Sequence, residues 1–270
     1  MSKKDTIIFL STTIIIIITC FLAFESMQYY IIGLSFLIGI LIFISQYNQK
    51  LTQTHIFDYV LPSTSNSYKQ VESLFWISKL IDPKLPLPGM RGYASSPDIL
   101  SVMLKEIMVN KPKLIVECGG GVSTILNGYL LQKIGNGKVI ALDHEEKYSE
   151  ITNQNLSLHG LNNFAEVLHS PLIDYRLKGN DWKWYKTSFT SDQKIDLLYV
   201  DGPPAHLQKL SRYPAVPILY DYLSKNAIII IDDADREDDK MAVMKWIEEY
   251  PDLKEEYVDT EKGCYIIRRA

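Results

Sequence analysis

Two stretches without a single charged side chain, residues 6–24 and 26–49, constrain this chain more than any other feature. They hold 19 and 24 residues, and a helix needs ~20 predominantly apolar residues to cross the ~30 Å hydrocarbon layer of a bilayer. The first contains five consecutive isoleucines, Ile14 to Ile18, and the second is dense in Ile, Leu and Phe. Only Glu25, Ser26, Met27 and Gln28 separate the apolar spans 6–24 and 29–47. Residues 1–50 are therefore expected to form a membrane hairpin of two transmembrane helices. Lys3 and Lys4 precede the first span, Lys50 follows the second, and the turn has no Lys or Arg; the positive-inside rule then puts both ends in the cytoplasm. Tyr29, Tyr30 and Tyr47 suit the membrane–water interface. A cleaved signal peptide would have a shorter apolar region and no second span behind it. Cys20 follows Thr19, a poor residue before a lipoprotein cleavage site. A buried soluble hairpin would leave the lack of any polar face unexplained.

Composition sharpens the division. The 270 residues are 47% hydrophobic with a net charge of -4. Without residues 1–50 the chain has 25 basic and 30 acidic groups, a mildly acidic body with nothing to neutralise phosphates, so no nucleic-acid partner is expected. Cys20, Cys118 and Cys264 have no paired spacing, which excludes a zinc-finger pattern and a disulfide framework. Nothing in the pattern specifies an oligomeric state.

Residues 48–70 read as a polar linker, and residues 71–92, with Pro83, Pro86 and Pro88, as a wrap around the body. The expected organisation is thus a membrane hairpin (1–50), a linker and wrap (51–91) and a globular domain (92–270). From Ser96 the pattern becomes regular. Ser96-Pro97 opens a helix. Leu114 to Cys118 is a short apolar strand ending in Gly119-Gly120-Gly121, followed by a helix from Ser123 to about Ile134. Strands at Val139–Asp143, Glu166–His169, Ile195–Asp201 and Ala227–Asp232 alternate with helices at Glu146–His159, Ala205–Leu223 and Asp238–Glu249. Residues 171–192 read as irregular, and Glu255–Asp259 with Cys264–Arg268 as a terminal hairpin. Apolar strands alternating with helices predict a parallel sheet covered on both faces, which binds ligands at the carboxyl ends of its strands.

Those ends carry the chemistry. Glycines at 119, 120 and 121 let the backbone approach a ligand, and Ser123 is placed to cap the next helix. Asp143 ends the second strand, 22 residues after Gly121, where an acid accepts hydrogen bonds from two ribose hydroxyls. A glycine turn with an acid at the next strand end indicates a nucleoside cofactor. Thr124 stands where a dinucleotide fingerprint has its third glycine, so NAD is disfavoured.

Residues 92–248 resemble a class I S-adenosylmethionine-dependent methyltransferase. Glu117-x-Gly119-x-Gly121-x-Ser123-Thr124 matches the family's first motif, which wraps the methionine and ribose. Asp143-His144 matches the ribose-holding acid, and Asp201-Gly202-Pro203-Pro204 the segment closing the fourth strand. Arg212-Tyr213-Pro214-Ala215 and Asp232-Asp233-Ala234-Asp235-Arg236 are similar to one bacterial subgroup, as are Gly92-Tyr93-Ala94-Ser95-Ser96-Pro97-Asp98 and Pro171-Leu172. Ala205 departs from the pattern, where a glycine often follows the paired prolines. The resemblance implies a Rossmann-like seven-stranded α/β sheet with a C-terminal antiparallel hairpin. It also implies S-adenosylmethionine as cofactor, held by Glu117, Gly119, Gly120, Gly121, Ser123, Asp143, His144 and Asp201. The bacterial inner membrane is then the expected location, with the catalytic domain in the cytoplasm.

Asp201, Asp232 and Asp233 fall at two neighbouring strand ends with no evident basic partner, and a hard cation such as Mg²⁺ would relieve their repulsion. Some O-methyltransferases of this fold hold a metal at these strand ends, where it lowers the pKa of the acceptor oxygen. The competing reading is that Asp232 and Asp233 cap the next helix while Asp201 orients the cofactor amine. Asp201 and His206 are the candidate catalytic residues, His206 as a base or as a backbone partner. His144 is expected beside the adenine or ribose, and His169 to be either structural or functional. Trp182, Trp184 and Tyr185 are expected to pack on the sheet, with an acceptor platform as the alternative. Arg212 and Arg236 either bind an anionic acceptor or pair with the acids. The expected activity is membrane-anchored O-methylation of a small-molecule or lipid-linked acceptor, such as a glycan intermediate. An inactive cofactor-binding scaffold and an NAD-linked oxidoreductase are the rival readings.

Overall fold

The structure, a computed structural model, describes residues 3–23, 27–90, 92–187 and 194–269. The chain divides into two compact units, Met1–Ser65 and Asn66–Ala270. In the first, α1 (Lys3–Ala23) and α2 (Met27–His55) are separated by residues 24–26, the expected turn, which lie outside the described residues. Phe21 and Tyr30 meet edge-on with ring centroids 5.8 Å apart. Many of the described apolar side chains of both helices, among them Ile15, Ile31, Ile32, Phe36 and Phe43, are exposed. The Thr19 and Ser35 hydroxyls donate to the carbonyls of Ile15 and Ile31, one turn back, which hides their polarity inside the helix. By length and composition the helical stretch Tyr29–Ile81 is long and apolar enough to cross a membrane; the apolar part of α1, Leu10–Phe21, is shorter.

The stretch read as a linker is helical. A π turn at Ile56–Val60 leads into α3 (Leu61–Ile81). Pro62 explains the wide turn before it, since proline cannot donate to the preceding carbonyls and its ring crowds them. Beyond it, Ile77 and Ile81 recur at helical spacing and are buried, so packing overrides the polar composition that suggested a linker.

The second unit holds a seven-stranded sheet in the order β3-β2-β1-β6-β7-β9-β8. These strands are β1 (Leu114–Cys118), β2 (Lys138–Asp143), β3 (Ala165–His169), β6 (Ile195–Val200), β7 (Leu223–Ile231), β8 (Leu253–Val258) and β9 (Cys264–Arg269). The first five are parallel, whereas β9 runs antiparallel to both β7 and β8, as expected for a terminal hairpin. Side chains alternate between two cores. Ile115, Leu197, Tyr199, Ile228 and Ile230 join α3, α4 (Pro97–Asn110), α5 (Val122–Ile134) and α6 (Glu146–Leu158) on one face. Val116, Leu198, Val200, Ile229 and Ile231 join α8 (Glu237–Glu249) and the segments before β6 and β7 on the other.

That second face departs from expectation twice. The segment read as irregular contains a hairpin, β4 (Leu172–Leu177) and β5 (Asn180–Tyr185), paired from Leu172↔Tyr185 to Leu177↔Asn180. Its tight turn takes Lys178 and Gly179 at φ 49° and 84°, the conformation a two-residue hairpin loop requires. Trp184 and Tyr185 are fully buried against the sheet, and Trp182 packs on Tyr213 at 4.8 Å. The remainder of the irregular segment, 188–192, lies outside the described residues. Where one helix was expected over 205–223, there are only a 3-10 turn at Ala205–Leu207, the short α7 (Ala215–Leu219) and another 3-10 turn at Tyr220–Tyr222. Pro204, Pro214 and Pro217 interrupt the hydrogen-bond ladder there, and Leu210 sits at φ 54°.

Trp246 of α8 is completely buried and donates its indole N–H to the Tyr213 carbonyl at 2.8 Å. Trp246→Ala should cost roughly 3–5 kcal/mol, measured by chemical denaturation of the purified chain; an unchanged midpoint would show that this face contributes little to the fold.

Candidate functional site at the carboxyl ends of the strands

The chain runs outward from β1 to β3 and then returns to β6 on the other side of β1, so a switch point opens between β1 and β6. Backbone hydrogen bonds continue the ladder one residue past the strands: Gly119 N to Leu142 O at 2.9 Å, Asp201 N to Cys118 O at 3.0 Å, and Asp232 N to Val200 O at 3.2 Å. Asp143, Gly119, Asp201 and Asp232 consequently stand in a row across four adjacent strands.

Gly119 adopts φ +102°, in the region that favours glycine. A Cβ on Gly120 would come within 2.9 Å of Val167, so only glycine lets the loop lie this close to β3. Gly121 is the N-cap of α5, which begins at Val122 rather than at Ser123. Ser123 does not cap the helix. Its hydroxyl donates to Glu117 at 2.8 Å, and Thr124 Oγ1 and Asn127 Nδ2 donate to the same carboxylate at 2.8 and 2.6 Å. Glu117 is wholly buried, with one oxygen holding the first turn of α5 and the other Asn127 in its second.

Asp143 closes β2 with its carboxylate turned to that loop, accepting from the backbone N–H groups of Glu145 at 2.9 Å and of Gly120. Burial raises its pKa, against the pull of these donors. His144 lies beside it, 3.8 Å from Asp143 Oδ1, and its ring meets Tyr185 edge-on at 6.2 Å. Tyr185 was read from sequence as a packing residue. It also reaches under the loop after β6, where a Cβ on Gly202 would collide with its hydroxyl. His206 is exposed on the 3-10 turn, and among the described residues no hydrogen bond or ion pair ties it to the row. His169 is exposed at the end of β3.

Asp201, Asp232 and Asp233 do converge, with one oxygen of each within 4.8 Å of the others. The expectation that they lack a basic partner is corrected by Arg212. Its guanidinium, with a side chain only 2% exposed, reaches Asp201 Oδ1 at 3.1 Å and Asp233 Oδ2 at 2.7 Å. It also donates to the carbonyls of Asp201 at 2.5 Å and Asp232 at 2.7 Å, and lies 3.8 Å from Asp239. Burial alone would weaken the protonated form of Arg212, but Asp201, Asp239 and Asp233 more than compensate and raise its pKa. Burial pushes Asp201 up to about 7, with Arg212 lowering it and Asp232 and Asp233 raising it. Asp233 is also buried, yet Arg212 and Arg236 hold it below the usual carboxylate range.

The capping alternative does not hold. Helix α8 begins at Glu237, and Asp232 Oδ1 accepts instead from the N–H of its neighbour Asp233 at 2.7 Å. Two participants escaped the sequence reading: Ser95, whose hydroxyl donates to Asp201 Oδ2 at 3.1 Å, and Tyr199, whose hydroxyl lies 2.8 Å from that of Ser95 and donates to Asp232 Oδ2 at 3.3 Å. Tyr199 lies in a strand buried on both faces, so no local pattern singled it out.

Burial lifts the Glu117 carboxyl from 4.5 to about 7 despite its three donors. A carboxyl whose folded pKa exceeds its unfolded one contributes its full stability below the unfolded value and loses it as pH rises through the folded value. Raising the pH from about 5 to about 8 should therefore reduce unfolding free energy by on the order of 3 kcal/mol through Glu117. Denaturation of wild type and Glu117→Gln across this range measures the difference; parallel pH profiles would assign the effect elsewhere.

Residues 116–234 match a family model described as a methyltransferase domain. Among solved structures, an O-methyltransferase from Bacillus cereus in complex with S-adenosylhomocysteine aligns at 15% identity and a TM-score of 0.50, covering 82% of this chain and 97% of that one. An S-adenosylhomocysteine-bound methyltransferase from Podospora anserina aligns at 19% identity and a TM-score of 0.49, covering 75% and 88%. No curated protein matches the chain. Sheet order and the family match agree: the body of this chain has the Rossmann-like fold of a seven-stranded methyltransferase sheet, and residues 116–234 within it match a methyltransferase domain.

Proposed function

We propose that this chain methylates a hydroxyl oxygen of a membrane-associated acceptor, such as a lipid-linked glycan or a comparable small molecule. The observation that carries the reading is the row formed by Asp143, the Gly119–Gly121 loop and Asp201 across the switch point. The glycine backbone would lie along the methionine and ribose, Asp143 would accept from the ribose hydroxyls, and His144 would flank the base. The tight seat of Gly120 against Val167 and the Gly120 N–H donated to Asp143 suit this task, because they fix the acid relative to the loop. When bound, S-adenosylmethionine supplies a methyl group already activated as a sulfonium.

The protein's contribution is then mainly positional. Asp201, with a side chain 19% exposed, takes up the acceptor's hydroxyl proton, while Arg212 and Ser95 hold its two oxygens in place. His206, untethered to the row, is assigned no step. Asp143→Ala should weaken binding of S-adenosylhomocysteine by about a hundredfold or more, a loss on the order of 3 kcal/mol, read by calorimetry. Undiminished affinity would remove the assigned cofactor site.

We further place residues 1–50 in a bilayer with the methyltransferase domain on the cytoplasmic side. The exposed apolar faces of α1 and α2, the absence of charge between Asp5 and Glu25 and between Glu25 and Lys50, and the flanking lysines support this. The full chain should remain with membranes through alkaline carbonate extraction. Recovery in the carbonate supernatant would rule the anchor out.

A further inference from the structure

We propose that Arg212 occupies the role a divalent cation would otherwise fill, so that the acidic cluster of Asp201, Asp232 and Asp233 does not bind a metal ion. The convergence of these acids makes Mg²⁺ the obvious candidate, but their oxygens are already engaged. Asp201 Oδ1 accepts from Arg212 at 3.1 Å and Oδ2 from Ser95 at 3.1 Å. Asp232 Oδ1 accepts from the Asp233 N–H at 2.7 Å and Oδ2 from Tyr199 at 3.3 Å. Asp233 Oδ2 accepts from Arg212 at 2.7 Å and also pairs with Arg236, while Oδ1 faces Lys262 Nζ at 3.6 Å. All six oxygens thus face a donor or a cation supplied by the chain itself.

Charge points the same way. Four acids, Asp201, Asp232, Asp233 and Asp239, are met by Arg212, Arg236 and Lys262. A hard ion entering the triad would come up against a permanently charged guanidinium that is buried and bonded to two strand-end carbonyls. Arg212 cannot shed its proton to make room, and moving it aside would break those carbonyl bonds along with its ion pairs. The guanidinium is also a fixed fork rather than an exchangeable ion. It therefore sets the geometry of Asp201 permanently, whereas a metal would have to be recruited.

The consequence for the acceptor rests on the O-methyltransferase reading; the statement about metal does not. A chelated cation selects acceptors that present two neighbouring oxygens. A site closed by Arg212 imposes no such requirement, so the acceptor class widens to single, non-chelating hydroxyls.

The test is a titration of the full-length chain in detergent micelles with Mn²⁺, following the signal of the free ion by electron paramagnetic resonance. Asp201→Asn and Arg212→Met are run in parallel, with folding checked by circular dichroism. Wild type should produce no saturable loss of free Mn²⁺ at sub-millimolar concentrations, with or without S-adenosylhomocysteine. Saturable binding in wild type that disappears in Asp201→Asn would overturn the proposal. Appearance of such binding in a folded Arg212→Met chain would support it directly, and a variant that fails to fold leaves the wild-type titration decisive. Calorimetry of S-adenosylhomocysteine on the same samples reports on the methyltransferase reading separately, since cofactor binding and Mn²⁺ binding are scored on different signals.

Discussion

A single buried guanidinium ties together the functional end of the sheet. Arg212 comes from the proline-interrupted stretch between β6 and β7 and reaches across both strand ends, bonding the carbonyls of Asp201 and Asp232 and pairing with Asp201 and Asp233. A charge with 2% of its side chain exposed is tolerable only when partners surround it. Here they do, since the acids are equally dependent on it. Removing either side would strand the other, so the strand ends, the loop that carries Arg212 and the start of α8 are energetically one unit.

On the other side of the switch point, Glu117 does comparable work by different means. Its carboxylate is fully buried without a cation and relies on three neutral donors from α5. The two devices divide the site. Glu117 shapes the glycine loop from below, and Arg212 fixes the acids beside it. Asp143 and the glycine loop stand on the Glu117 side, and Tyr185 reaches under the turn after β6.

Much of this was legible in the linear pattern. The limits of β1, the acid ending β2 and the terminal hairpin follow from short-range signals: apolar runs, glycine turns and strand-end carboxylates. The misreadings share a physical origin. The hairpin β4–β5 was hidden because aromatic and charged residues masked its alternation, although Lys178-Gly179 marked its turn. Residues 205–223 were given too much helix because apolar spacing outweighed two prolines, Pro214 and Pro217. The polar stretch before Ile77 was read as a linker because the apolar positions that make it helical are few.

The sequence by itself determined the charge-free spans at the N terminus, the α/β alternation and the order of the motifs, because each depends on neighbours a few residues apart. Only the tertiary structure decided what neutralises the acids. Arg212 lies 11 residues from Asp201 and 21 from Asp233, and Ser95 lies 106 from Asp201. Contacts across such separations exist only once the sheet order has brought β6 and β7 side by side. Electrostatic partnership depends on distance in space, and a carboxylate that seems unpaired along the chain acquires its counter-charge when the strands assemble.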